Sequence, residues 1–191
     1  RLFIIRHGRT AWNQAKRLQG ASADSPLLSE EAPYRQLAAY LDQYPFAAAY
    51  TSPLPRAQAT AARTLASFTR HLAPTVVVVD DLRELSFGQW EGRTRAAVQA
   101  EAPELFTLLA QRRDDPRLAA LGMENFAAAG RRFTGALAGI AAGLGAEENA
   151  LLFTHGGIGQ LGLRVATGNP HLLGLKNLST SIVAVTEARF A

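Results

Sequence analysis

Apolar positions along the chain form short unbroken runs set between stretches of helical periodicity, the pattern of a buried sheet covered by amphipathic helices. Leu2 to Ile5 is uninterruptedly apolar and closes at Gly8, which predicts a central strand feeding a loop. Leu37, Leu41 and Tyr44 recur at helical spacing behind Ser29, a candidate N-cap, with Pro33 in the first turns where proline is tolerated. Phe46 to Tyr50 predicts a second strand. Ala57, Ala61, Leu65 and Phe68 predict a helix within Pro55 to Leu72, and the β-branched run Thr75 to Val79 predicts another buried strand ending at Asp80-Asp81. From Thr94 to Leu121 the helical pattern is broken by Pro103 and Pro116 and reads as an inserted cap. A long helix follows, from about Glu124 to Leu144, then a strand over Ala150 to Thr154. Ile158 to Ala166 reads as a helix, Gly168-Asn169-Pro170 as a turn and Ser181 to Val185 as a last strand.

Alternating strands and helices define an α/β fold, here a three-layer α/β/α sandwich with a mostly parallel central sheet and a small helical cap insertion at about residues 94–130. With 191 residues and 48% apolar content, the chain suits one domain over residues 1–191. Such sheets bind ligands at the carboxyl ends of their strands. Arg6-His7-Gly8, Thr51-Ser52-Pro53 with Arg56, and Thr154-His155-Gly156 all follow predicted strands, so two histidines and two arginines should meet at one sheet edge.

Composition narrows the chemistry. The absence of cysteine removes disulfides, thiolate metal sites and cysteine nucleophiles. No apolar run approaches the roughly 20 residues that span a bilayer, so the expectation is a soluble, cytoplasmic protein with no membrane partner. The net charge of +4 rests almost wholly on arginine, since Lys16 and Lys176 are the only lysines. Arginine presents paired N–H groups that match phosphate or carboxylate oxygens, which favours an anionic partner. The arginines are dispersed without interleaved aromatics, which favours a small phosphorylated substrate over nucleic acid.

Each candidate alone reads most simply as structural: His7 and His155 as hydrogen-bonded strand-end histidines, Arg56 as a helix-surface arginine, Glu84 as a surface carboxylate or a partner for Arg83. Their convergence carries the functional reading. Arg6 and Arg56 can hold a phosphoryl group. Neutral His7 can attack phosphorus without prior deprotonation, and Gly8 lets backbone approach the ligand. His155-Gly156-Gly157, opening a helix, adds a second imidazole and amide donors. The leaving oxygen needs a proton donor, and Glu84 is the candidate because the charge of a bound phosphate favours its protonated form. No metal or other cofactor is required. Glu91, Asp80, Asp81, His71 and His171 read as structural or solvent-facing, and Trp12 and Trp90 as packing anchors.

These motifs resemble the histidine phosphatase superfamily, the phosphoglycerate-mutase-like group. Arg6-His7-Gly8-Arg9-Thr10 with Trp12-Asn13 resembles its N-terminal signature, and Leu18-Gln19-Gly20 the loop after it. Tyr50 to Ala57 resembles its second phosphate-binding segment, and Phe153-Thr154-His155-Gly156-Gly157 its last motif. Leu82-Arg83-Glu84 with Phe87 to Gly92 is similar to the acid-bearing segment of the phosphatase branch, and the likeness runs from residue 2 to about residue 185. The resemblance implies that His7 is phosphorylated, that Arg6, Arg56 and His155 hold the phosphoryl group, that Asn13 and Gln19 contact it, and that Glu84 donates the proton. Gly20 and Gly156 are implied as binding positions. The implied activity is a metal-independent histidine acid-type phosphatase.

The segment Glu84-Leu85-Ser86-Phe87-Gly88 lacks the histidine and tyrosine of the mutase version, which favours hydrolysis over a phosphoglycerate-type mutase; a catalytically silent phospholigand-binding module is the third alternative. Leu28 and Ala32-Pro33 depart from the family pattern and predict an altered helix start, Gly122-Met123-Glu124-Asn125 departs from the Gly-Glu-Ser of the family's cap hinge, and Arg9 should make the mouth more cationic. Arg112, Arg113 and Arg117 read as a solvated surface patch, with contact to a second anionic group as the alternative. Phe106, Leu105 and Phe126 read as core packing, with the lining of an apolar mouth as the alternative.

Overall fold

The computed structural model describes residues 1–186 and 189–190. Five strands form the central sheet: β1 (Leu2–Arg6), β2 (Ala48–Thr51), β3 (Val76–Val78), β4 (Ala150–Thr154) and β5 (Thr180–Val183). Their order is β3-β2-β4-β1-β5, parallel except for β5, which runs antiparallel to β1. Eight helices accompany them among the described residues: α1 (Ala11–Gln14), α2 (Ala32–Leu41), α3 (Pro55–Leu65), α4 (Arg95–Glu101), α5 (Pro103–Ala110), α6 (Pro116–Ala120), α7 (Phe126–Ala142) and α8 (Gly156–Thr167).

The period-two alternation of β1 builds the two faces of the sandwich. Phe3 and Ile5 join Leu151 and Phe153 beneath α2 and α3, against Leu37, Leu41, Ala61 and Leu65. Leu2 and Ile4 join Ala150 and Leu152 beneath α7 and α8, against Phe133, Leu137, Ile158 and Leu163. That second core continues into the cap through Leu82, Leu85, Val98, Leu109 and Leu118.

Several boundaries differ from those the pattern predicts. Ser29 does not cap α2: the N-cap is Glu31, which makes no side-chain cap hydrogen bond, and Pro33 falls in the first turn. α3 stops at Leu65, because buried Asp42 captures the N–H groups of Thr69, Arg70 and His71 and turns the chain away. The run Thr75 to Val79 makes an edge strand rather than a buried one, with Val77 and Val78 51% and 53% exposed. β-Branching marks a pleated surface without saying how many neighbours the strand has. Asn125 caps α7 through its side chain, so that helix starts at Phe126. The last predicted strand breaks at Ala184, and β6 (Val185–Thr186) pairs instead with β7 (Arg189–Phe190). No helix of the described residues is long and apolar enough to cross a membrane.

Candidate active site

Register alone brings the three motifs together. Arg6 lies opposite Thr154 and Thr51 opposite Phe153, so β2, β4 and β1 end side by side. Pairing continues one step past the strands, with the His7 N–H donating to Thr154 O at 2.9 Å and the Ser52 N–H to Phe153 O at 2.9 Å. His7 and His155 thereby face each other with ring centroids 5.2 Å apart.

His7 is buried, and its Nδ1 lies 2.7 Å from Gly8 O. A carbonyl only accepts, so Nδ1 carries the proton and Nε2 keeps the lone pair. Burial, then the charges of Arg56 and Arg6, pushes the imidazole down to a pKa of about 3, so it is neutral at working pH. The loop holding it is tied down from two sides. The Gly8 N–H donates to Thr60 Oγ1 on α3, and Asn177 Nδ2 donates to His7 O at 2.9 Å and Gly8 O at 3.2 Å. Gly8 is required for another reason than ligand approach: a Cβ there would lie 2.0 Å from the Tyr34 hydroxyl.

The cationic donors are held with contacts to spare. Arg6 Nη1 donates to Leu175 O, while its buried Nε has no acceptor. Arg56, fully buried, donates to Asp24 Oδ1 and Gly20 O at 2.8 Å each, and its Nε is likewise unpaired. Gly20 thus acts through Arg56, by its carbonyl. Glu91 holds that loop, accepting from the N–H groups of Ala21, Ser22 and Ala23. His155 is fully buried and held well below its ordinary pKa by burial, then by Arg56, His7 and Arg6. Its Nε2 lies 2.7 Å from Ser52 Oγ, and its Nδ1 has no partner. Asn13 Oδ1 accepts from Thr10 N and Asn177 Nδ2, which leaves its own amide N–H groups available. Gln19 Oε1 accepts from Thr10 Oγ1, and its Nε2 is buried and unpaired. Unpaired buried polar atoms are uncommon in folded proteins, and here Arg6, Arg56, His155 and Gln19 each carry one in the same neighbourhood. Together they suit an oxyanion.

Glu84 completes the arrangement. It is buried and accepts from Leu85 N at 2.8 Å, Gly157 N at 2.9 Å and Ile158 N at 2.7 Å. Two of those amides open α8, so the start of that helix fixes where the Glu84 carboxyl group sits. Arg83 pairs with Asp80 and Asp81, not with Glu84. Glycine is needed where α8 begins, since a Cβ at Gly156 would lie 2.9 Å from Arg6 Nε and one at Gly157 2.7 Å from Glu84 Oε1. The Glu84 backbone is braced from behind by Arg132, which donates to the carbonyls of Asp81, Arg83 and Glu84 and forms an ion pair with Glu124.

Arg6, His7, Asn13, Gln19, Glu84 and Gly156 line one cleft of about 300 Å³, with Arg56 and His155 packed behind it. A larger hollow of about 570 Å³, between α2 and the Asn177 segment, contains Arg9 and no histidine, so Arg9 lines that hollow rather than the cleft. The cap arginines separate. Arg117 is consumed by Asp115 and Glu104, Arg113 is exposed, and Arg112 enters the cleft over Phe87 and Phe126. Phe126 is core, as expected, whereas Phe106 lines the cleft. Ser52 lies in the Thr51-Ser52-Pro53 motif but carried no role of its own in the sequence, and Thr60, Asn177 and Arg95, small polar or exposed residues without motif spacing, gave no signal there. Among the described residues no three His, Asp or Glu side chains converge as a metal site.

A mostly parallel sheet whose strand ends gather neutral imidazoles, guanidinium groups and one carboxyl group can bind and transfer an oxyanion. The chain belongs to the histidine phosphatase superfamily (branch 1), whose family model matches residues 2–191. It is 41% identical over 109 residues to the bifunctional protein Rv2228c of Mycobacterium tuberculosis, covering 55% of this chain and 28% of that protein. It is 39% identical over 98 residues to the fructose-2,6-bisphosphatase TIGAR B of Danio rerio, covering 49% of this chain and 37% of that protein. The chain therefore spans about a third of the length of these curated relatives. Among solved structures, the vanadate (VO3) complex of the mycobacterial glucosyl-3-phosphoglycerate phosphatase Rv2419c superposes with a TM-score of 0.84 at 26% identity, covering 100% of this chain and 95% of that one.

Proposed function

We propose that the protein is a metal-independent phosphomonoester hydrolase working through a phosphohistidine on His7, with Glu84 as proton donor. The observation that carries this reading is the state of His7: neutral, with Nδ1–H held on Gly8 O and Nε2 left as the nucleophilic nitrogen beside unpaired guanidinium donors. The Nε2 lone pair forms a bond to phosphorus while the ester P–O bond breaks, and Glu84 gives its proton to the leaving oxygen. Deprotonated Glu84 then takes a proton from water, whose oxygen bonds to phosphorus as the N–P bond breaks. Phosphate leaves and His7 returns to its neutral state.

Arg6 and Arg56 offset the charge carried by the three non-bridging oxygens, and His155, Asn13, Gln19 and the Gly156 N–H donate hydrogen bonds to them. The relatives named as phosphatases support the assignment of hydrolysis to this site. Acid quenching during turnover of a labelled aryl phosphate should trap label on the wild-type protein and none on His7→Ala, whose rate should fall at least about 10³-fold. EDTA should leave the rate unchanged. Retained label or rate in His7→Ala would overturn the mechanism.

A further inference from the structure

The cleft holds more positive charge than one phosphoryl group uses. Beyond Arg6 it is lined by Arg17, Arg95 and Arg112, none of which has a carboxylate within 4.0 Å among the described residues. Arg83, Arg93, Arg117 and Arg132, none of which lines the cleft, are by contrast each paired with a carboxylate. The one carboxylate lining the cleft, Glu84, is already engaged by three backbone amides.

Arg112 is the most unusual of these arginines. Its backbone is left-handed at φ 55, a conformation that non-glycine residues rarely adopt unless their surroundings demand it. Its Nη1 donates to Leu109 O at 2.8 Å, its guanidinium carbon stands 5.8 Å from the Phe87 ring centroid and 5.9 Å from that of Phe126, and its Nε is buried without an acceptor. Burial is the leading influence lowering its affinity for the proton, Glu84 opposes it, and Arg95 and Arg164 add to it. A guanidinium withdrawn from water, stacked between aromatic rings and left with a free donor is organised for an anion that arrives from outside.

We infer that Arg112, with Arg95 at the rim, forms a second anion subsite, and that the substrate is a phosphomonoester carrying a further carboxylate or phosphate group. This rests on the phosphatase reading above and adds the substrate class to it. Two matched pairs distinguish the sources of the second charge: glycerol 3-phosphate against 3-phosphoglycerate, and glucose 6-phosphate against glucose 1,6-bisphosphate. Kd by calorimetry and kcat/KM by phosphate release are measured for wild type, Arg112→Met, Arg112→Lys and Arg113→Met, with p-nitrophenyl phosphate as the test of phosphatase activity itself.

Wild type should favour the doubly anionic member of at least one pair tenfold or more. Arg112→Met should bring that ratio close to one, Arg112→Lys should restore part of it, and Arg113→Met, on the exposed side of the cap, should keep it. A wild-type ratio near one in both pairs, or an undiminished ratio in Arg112→Met, overturns the subsite. Failure on p-nitrophenyl phosphate with the binding ratio intact overturns the phosphatase reading and leaves the subsite standing. Should Arg112→Met not fold, Arg95→Met supplies the same test, a severalfold drop in the ratio supporting the subsite and an unchanged ratio overturning it.

Discussion

The most consequential hydrogen bond at the residue scale is the one from His7 Nδ1 to Gly8 O, because it decides which nitrogen keeps its lone pair. Asn177 reinforces it from outside by donating to the same carbonyl and to His7 O. Asn177→Ala should lower kcat about 10-fold or more while changing KM less, since losing the brace misaligns the imidazole without removing a phosphate donor. Steady-state kinetics on one aryl phosphate separates these terms. His7, Arg56 and His155 were legible in the sequence because each sits beside glycine, proline or a strand end, and Glu84 because its segment is similar to the acid-bearing segment of the family. Asn177 was not: it follows an irregular stretch, and its partners lie 169 and 170 positions away. Arg112 was misjudged for a related reason, since an arginine beside two others reads as surface until a left-handed turn directs it inward.

At the scale of elements, the fold places the Glu84 carboxyl group by wedging the segment Leu82 to Glu84 between the start of α8 and the side of α7. Arg132 and Glu124 form the brace on the α7 side. Removing one partner of such a largely buried pair strands the other, so Arg132→Met should cost about 3–5 kcal/mol in urea unfolding, and Glu124→Gln less. On the α8 side, Gly157→Ala should push the Glu84 carboxyl group away from the helix amides. The expected result is loss of kcat on alkyl phosphates, whose leaving group needs the proton, with a smaller loss on p-nitrophenyl phosphate, whose leaving group does not. Equal losses on both would show that the glycine matters for packing alone. The strands and long helices were legible from period and length, while their ends were not, because Asp42 and Asn125 set them through hydrogen bonds that periodicity does not encode.

For the whole molecule, the two depressed histidines make folding sensitive to acid. An unfolded histidine binds its proton near pH 6.5, whereas folded His7 resists protonation down to about 3. Below pH 6.5 the unfolded chain therefore holds protons that the folded chain refuses, and stability falls as pH drops from about 6.5 toward 3. His155, lowered in the same direction, adds to the loss. Urea midpoints should decline across that window in wild type and decline less in His7→Asn. The exposed valines of β3 carry a different consequence, for behaviour at high concentration. One long side of β3 offers unpaired backbone groups to any neighbouring chain, within the run Thr75 to Val79. Pro74 before that run and Asp80-Asp81 after it are gatekeepers against intermolecular strand addition. Neutralising both acids, in Asp80→Asn with Asp81→Asn, should hasten aggregation measured by light scattering, so the open edge of the sheet limits how concentrated the protein can be kept.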